Sequence, residues 1–148
     1  MQDANKHHPY SPALLGMVSL LVCLIITTGC SSKRKTSDKD IQVIDYKKVI
    51  EFLNDSKSPT ALVDIRPSKQ FKECRIPGSV NIPLPQITIG EQRLAHAQRI
   101  IVYANGWNDN MSAAAAKKLL YLGYVNVYDF RGGLEQWVEK GGQTIKAR

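Results

Sequence analysis

The chain has 148 residues, enough for one domain with a core of its own and little else. Its 20 Lys and Arg against 13 Asp and Glu give a net charge of +7, but the basic residues are dispersed and carry no interleaved aromatics, which excludes a nucleic-acid-binding footprint. Of its three cysteines, Cys23 and Cys30 fall near the N-terminus and leave Cys74 alone in the remainder, so the domain holds no internal disulfide and must be stabilised by its core.

The first element in chain order is an apolar run over 13–26, ALLGMVSLLVCLII, preceded by Lys6, His7 and His8. It is short for a membrane span and suits the apolar region of a signal peptide. It ends in Thr27, Thr28, Gly29 and Cys30, after which the chain turns polar and basic, SSKRKTSDKD. Small residues followed at once by cysteine resemble the bacterial lipobox, although Thr27 stands where Leu is usual. That resemblance implies a lipoprotein-type signal peptide over 1–29, cleavage before Cys30 and lipid on Cys30. The alternative is an uncleaved anchor helix over 13–29. Either way the domain is tethered outside the cytoplasm, in the cell envelope. Ser31, where Asp would favour retention at the inner membrane, points by the lipoprotein pattern to the outer membrane and a periplasm-facing domain. Residues 30–40 form a basic tether whose Lys33, Arg34, Lys35 and Lys39 can contact anionic headgroups or act as a solvated spacer.

From residue 41 short β-rich runs alternate with helical stretches. IQVI (41–44) reads as a brief strand. DYKKVIEFLND (45–55) reads as a helix with Asp45 as N-cap and an apolar face of Val49, Ile50, Phe52 and Leu53. TALVDI (60–65) is apolar and continuous, as a buried parallel strand is. PSKQFKEC (67–74) is a short helix with Pro67 at its first position, and SVNIP (79–83) a further strand. Residues 84–98 carry no clear period, though EQRLAHAQ can be helical. RIIVY (99–103) is a strand, MSAAAAKKLLYLG (111–123) a helix closed by Gly123, VNVYDF (125–130) a strand, and LEQWVEKG (134–141) a last helix. Strands alternating with helices predict an α/β fold with a parallel sheet covered on both faces.

The segment LVDIRPSKQFKECRIPGSVNIPL, Leu62 to Leu84, resembles the rhodanese-like family, with its strand ending in Asp-x-Arg and its Ile-Pro-Gly turn before Asn-Ile-Pro. IVYANG and AAKKLLYLGYVNVYDFRGGLEQW match the family's second half. Asp64, Arg66, Pro77, Gly78, Asn81, Pro83, Gly123, Gly132, Gly133 and Trp137 all fall in place, and the resemblance covers about 41–145. It implies an open parallel five-stranded sheet with helices on both faces, in a rhodanese-like domain over 41–146. On physical grounds Asp64 can accept N–H groups from neighbouring loops and so brace, with Arg66, the scaffold of the site. Gly78 supplies positive φ, the Gly132–Gly133 pair turns the chain sharply, and Trp137 anchors the last helix.

The family's activity is sulfur transfer through one cysteine held in a loop of N–H groups at a helix N-terminus. The resemblance puts Ala104 at that position, and a methyl group cannot become a persulfide. The loop Asn105, Gly106, Trp107, Asn108, Asp109 and Asn110 has no Lys or Arg to hold an anionic donor, its one formal charge is Asp109, and it is about two residues longer than the family pattern. The expectation is therefore a noncatalytic binding or regulatory module, with the loop 104–110 as binding surface for a protein or a small anion. Trp107 either serves as a binding anchor or folds back over the site. The alternative is a sulfurtransferase acting through Cys74, beside Arg75, or through another mechanism. No cofactor is expected, and no metal site, because no Cys or carboxylate stands at ligand spacing from His96.

Overall fold

A computed structural model of the protein describes residues 37–147. The signal segment, Cys30 and most of the basic tether lie outside the described residues. Among the described residues no helix is long and apolar enough to cross a membrane.

The strands β1 (Gln42–Val43), β2 (Thr60–Asp64), β4 (Val80–Asn81), β5 (Arg99–Tyr103) and β6 (Val127–Phe130) form a parallel sheet in the order β1-β6-β5-β2-β4. The helices α1 (Tyr46–Asn54), α2 (Ser68–Glu73), α3 (Met111–Tyr121) and α4 (Gly133–Glu139) fill the connections. The five-stranded parallel sheet with helices on both faces is as expected. A second, antiparallel ribbon pairs β3 (Cys74–Arg75) with β7 (Ile145–Lys146), which the sequence pattern did not foreshadow.

Alternation along β5 splits the core into two layers. Ile100, Val102 and Ala104 join Val63, Ala115, Ala116 and Leu119 on the α3 face. Ile101 and Tyr103 join Val49, Phe52, Phe130 and Trp137 on the face covered by α1 and α4. Asp45 caps α1 by accepting the Lys48 N–H at 2.9 Å, and Val49 and Phe52 are that helix's buried residues, whereas Leu53 is exposed. Trp137 is buried, stacks edge-on against Tyr46 with ring centroids 5.3 Å apart, and donates its indole N–H to the Gln143 carbonyl at 2.7 Å.

Some boundaries differ from the sequence pattern. Pro67 precedes the first turn of α2, and Cys74 leaves that helix to start β3. The last helix begins one residue early and ends at Glu139. Residues 84–98 hold two single 3-10 turns, Leu84–Gln86 and Gln92–Leu94, separated by Gly90 at φ +71°. Ile87 and Leu94 pin this segment to the core.

Candidate functional site at the ends of the second and fifth strands

In an open parallel sheet, ligands sit outside the carboxyl ends of the strands where the strand order reverses. Here β2 leads outward to β4 on one side and has β5 on the other, so the reversal lies between β2 and β5. The residues that emerge there are Asp64 to Arg66 from β2 and Ala104 to Asn110 from β5.

Asp64 and Arg66 are both buried, and they hold each other. Arg66 donates Nη2 to Oδ2 of Asp64 at 2.6 Å and Nε to Oδ1 at 3.0 Å, while its backbone N–H reaches the same Oδ1 at 3.0 Å. Burial works against the guanidinium charge, but the Asp64 carboxylate outweighs it and holds the Arg66 pKa above its ordinary value. The Asp64 carboxylate therefore serves Arg66 rather than the N–H groups of other loops. It is the Asp64 carbonyl that accepts from Ile82 N–H at 3.0 Å and Asn81 Nδ2 at 2.9 Å. Removing one partner of such a buried pair typically costs about 3–5 kcal/mol, because the other is left uncompensated. Arg66 also donates Nη2 to the Cys74 carbonyl at 2.6 Å and Nη1 to Asn105 Oδ1 at 3.4 Å. One guanidinium thus ties β2, β3 and the loop together.

Ala104 is only 2% exposed, and its methyl packs in the α3-facing core. Beyond it the loop closes on Asp109. The Asp109 carboxylate accepts Asn105 Nδ2 at 3.0 Å, the Asn105 N–H at 3.4 Å and, through Oδ1, the Met111 N–H in the first turn of α3 at 2.9 Å. Two backbone donors at the ends of the loop, the Asn105 and Met111 N–H groups, are thus engaged by a carboxylate of the loop itself. On the other side the loop carbonyls meet the start of α4, where Leu134 N–H donates to Ala104 O at 3.1 Å and Glu135 N–H to Asn105 O at 2.8 Å. Gly133 permits this approach, since at φ +53° a Cβ there would stand 2.5 Å from the Ala104 carbonyl oxygen. Glu135 lies against buried Gly106 and brings a second carboxylate to the loop. Trp107 projects from this frame with 51% of its surface exposed.

Beneath the loop, the Tyr103 hydroxyl donates to Ser79 Oγ at 3.0 Å and accepts the Ile76 N–H at 3.3 Å. Burial, reinforced by the nearby Asp64 charge, pushes its pKa well above the ordinary tyrosine value, so it stays a neutral donor. It locks the Ile76–Ser79 turn, whose Gly78 has φ +75°, to β5.

The model of the rhodanese-like domain matches residues 34–140. The chain belongs to the rhodanese-like domain family. It is 34% identical over 116 residues to the adenylyltransferase and sulfurtransferase UBA4 of Meyerozyma guilliermondii, a match that covers 73% of this chain and 26% of that protein. The chain therefore spans about a quarter of that relative's length. It is 28% identical over 120 residues to a putative mitochondrial thiosulfate sulfurtransferase of Schizosaccharomyces pombe, covering 69% of this chain and 81% of the relative. Among solved structures, the BH2092 protein of Bacillus halodurans superposes with a TM-score of 0.65 at 28% identity, over 73% of this chain and 79% of that one.

Of the residues singled out in the sequence, this rhodanese-like domain brings together Asp64, Arg66, Ala104, Asn105, Gly106 and Asp109. Asn108 and Asn110 are exposed, and Asn110 lines a separate pocket on the α3 face. Cys74 is half-buried and reaches the site through its carbonyl, which takes Nη2 of Arg66 while Asn105 takes Nη1. Tyr103 and Glu135 were missed. The alternation of RIIVY would have placed Tyr103 opposite Ala104, and the Gly132–Gly133 turn hinted at a helix start directed at the loop. Among the described residues no group of His, Cys, Asp and Glu could hold a metal ion.

Proposed function

We propose that the protein is a noncatalytic rhodanese-like module, tethered in the bacterial cell envelope through lipid on Cys30, that binds a partner through the loop 104–110. The observation that carries this reading is the pairing of Ala104 with Asp109. The resemblance places Ala104 at the family's persulfide-forming cysteine, where it offers a buried methyl, while Asp109 occupies the Asn105 and Met111 N–H groups and sets a negative charge beside any anionic sulfur donor. Sulfur transfer needs a thiolate nucleophile and an anion cradle, and this pair supplies neither. The half-exposed Trp107 supports a binding role, because an indole left in solvent on a braced loop is the kind of anchor that binding surfaces use.

A second reading rests on Cys74. Its carbonyl bonds to the guanidinium that also reaches Asn105, and the named relatives include sulfurtransferases. One assay separates the two. The full-length chain, incubated with thiosulfate and cyanide, is expected to form no thiocyanate above the uncatalysed rate. Turnover that Cys74→Ser abolishes would replace the first reading with the second. Lipid labelling of the full chain beside Cys30→Ser tests the tether, and membrane retention of the unlabelled variant would favour an anchor helix.

A further inference from the structure

Trp107 stands at the corner of a hydrogen-bonded turn. The Asp109 N–H donates to the Gly106 carbonyl at 3.0 Å, which makes Trp107 and Asn108 the two central residues and brings the turn's ends together. A carboxylate marks each end. Asp109 carries its own, and the Glu135 side chain lies over Gly106, where a Cβ on residue 106 would collide with it.

Neither carboxylate is answered by a cation. Asp109 accepts neutral donors, Asn105 Nδ2 and the Asn105 and Met111 N–H groups. Among the described residues neither Asp109 nor Glu135 forms an ion pair. Residues 104–110 hold no Lys or Arg, and the Arg66 guanidinium that reaches Asn105 is buried and already paired with Asp64. The turn therefore sets two uncompensated negative charges beside a half-exposed indole, on a chain whose net charge is +7.

Those features favour a cation. An indole face attracts an ammonium or guanidinium held within ~6 Å of its centre. Carboxylates beside it add Coulomb attraction and accept charge-assisted hydrogen bonds. The net positive charge of the chain disfavours encounters with a basic group elsewhere, so this turn is where one is steered. We infer that the loop 104–110 recognises a lysine or arginine side chain in an exposed segment of a partner protein, its cation on Trp107 between Asp109 and Glu135. The inference deepens the reading of this loop as a binding surface, on which it rests.

The test uses the full-length chain and a short glycine peptide with blocked ends and lysines at alternate positions. Control peptides carry norleucine or glutamate in place of lysine. The indole N–H signals report the result, with Trp137 as internal reference because it is buried and bonded to the Gln143 carbonyl. The lysine peptide is expected to shift the Trp107 signal saturably, and added salt should weaken it. The norleucine peptide should bind roughly fivefold more weakly or worse, and the glutamate peptide should leave the signal unmoved. Glu135→Gln removes one charge at an exposed position and should weaken the lysine peptide roughly two- to fivefold. Glu135→Lys should abolish its binding with the rest of the spectrum unchanged. Norleucine binding as well as lysine, tighter binding of the glutamate peptide, no shift with any peptide, or undiminished lysine affinity in both variants would each overturn the inference. The noncatalytic reading falls separately, by thiocyanate formation, and a response at Trp107 to norleucine or glutamate alone would keep the loop as a binding surface for a different partner.

Discussion

Asn105 and Asp109 are bonded to each other across the loop, Nδ2 to Oδ2 at 3.0 Å, and the same carboxylate reaches on to the Met111 N–H. With Arg66 on Asn105 and Asp64 on Arg66, a continuous chain of polar contacts runs from the buried end of β2 to the start of α3. Asp109 thus acts as a capping carboxylate for α3, while Asn110 at the N-cap makes no side-chain capping bond. Asp109→Ala should cost about 1 kcal/mol, the usual loss of a helix cap. Hydrogen exchange at the Met111 amide should also quicken. An unchanged denaturation midpoint together with unchanged Met111 protection would show that the carboxylate is not holding the loop closed.

Trp137 has a structural role that its position alone makes testable. Its ring closes the layer between α1 and α4, and its N–H holds the Gln143 carbonyl at the chain's return. Trp137→Ala should lower stability by roughly 3–5 kcal/mol, as large-to-small substitution of a buried aromatic does. Urea unfolding followed by circular dichroism gives the measurement, and a midpoint close to the parent chain would mean that α4 is held by other contacts.

The features legible in the sequence are those decided within a few residues. Asp45 as a cap, Gly78 at positive φ and the sharp turn at Gly132–Gly133 follow from local backbone chemistry. The long apolar runs TALVD and RIIVY could only be central strands. The β3–β7 ribbon was not legible, because each strand is two residues long and its partner lies near the far end of the chain. The segment 84–98 has two single 3-10 turns instead of a helix, too short to impose a period. For Asp109 the sequence revealed the charge but not the direction of the carboxylate. Its bonds to Asn105 and Met111 make it the loop's own ligand rather than only a repelling charge.

The irregular segment offers a pH test. Glu91 grips Arg93 through two bonds, Nε to Oε1 at 2.7 Å and Nη2 to Oε2 at 2.8 Å, and Arg93 in turn donates Nη1 to the Asn81 carbonyl at 2.6 Å, holding the segment to β4. The Arg93 guanidinium lowers the Glu91 pKa from 4.5 to about 2. A depressed carboxylate contributes stability that is fully present above its unfolded pKa and lost as the pH falls through the folded one. The window is therefore from pH 4.5 down to about 2. Because Arg93 is partly exposed, solvent and salt will screen the contribution. Glu91→Gln should flatten the acid limb of a stability-against-pH curve within that window and leave stability above it less dependent on salt. Superimposable acid limbs for the two proteins would show that the pair does not titrate with folding.

Ala104→Cys alone should not give sulfur transfer. The position precedes α3, and a helix N-terminus favours a thiolate by ~0.3–1 kcal/mol, at most about 0.7 of a pKa unit. Burial acts in the opposite direction and can shift a fully buried group by up to ~3–5 units. With Ala104 2% exposed and packed in the α3-facing core, burial wins. The new thiol should therefore be alkylated by iodoacetamide more slowly than a free cysteine, measured in a Cys74→Ser background. Thiosulfate also needs N–H donors, and the Asn105 and Met111 amides are engaged by Asp109. Ala104→Cys/Asp109→Arg removes that carboxylate and adds a cation, so it is the variant in which thiocyanate formation should first become measurable. Rapid alkylation and robust turnover by the single variant would mean that the loop opens readily enough to expose residue 104 and release its amides. Asp109 would then not be the barrier.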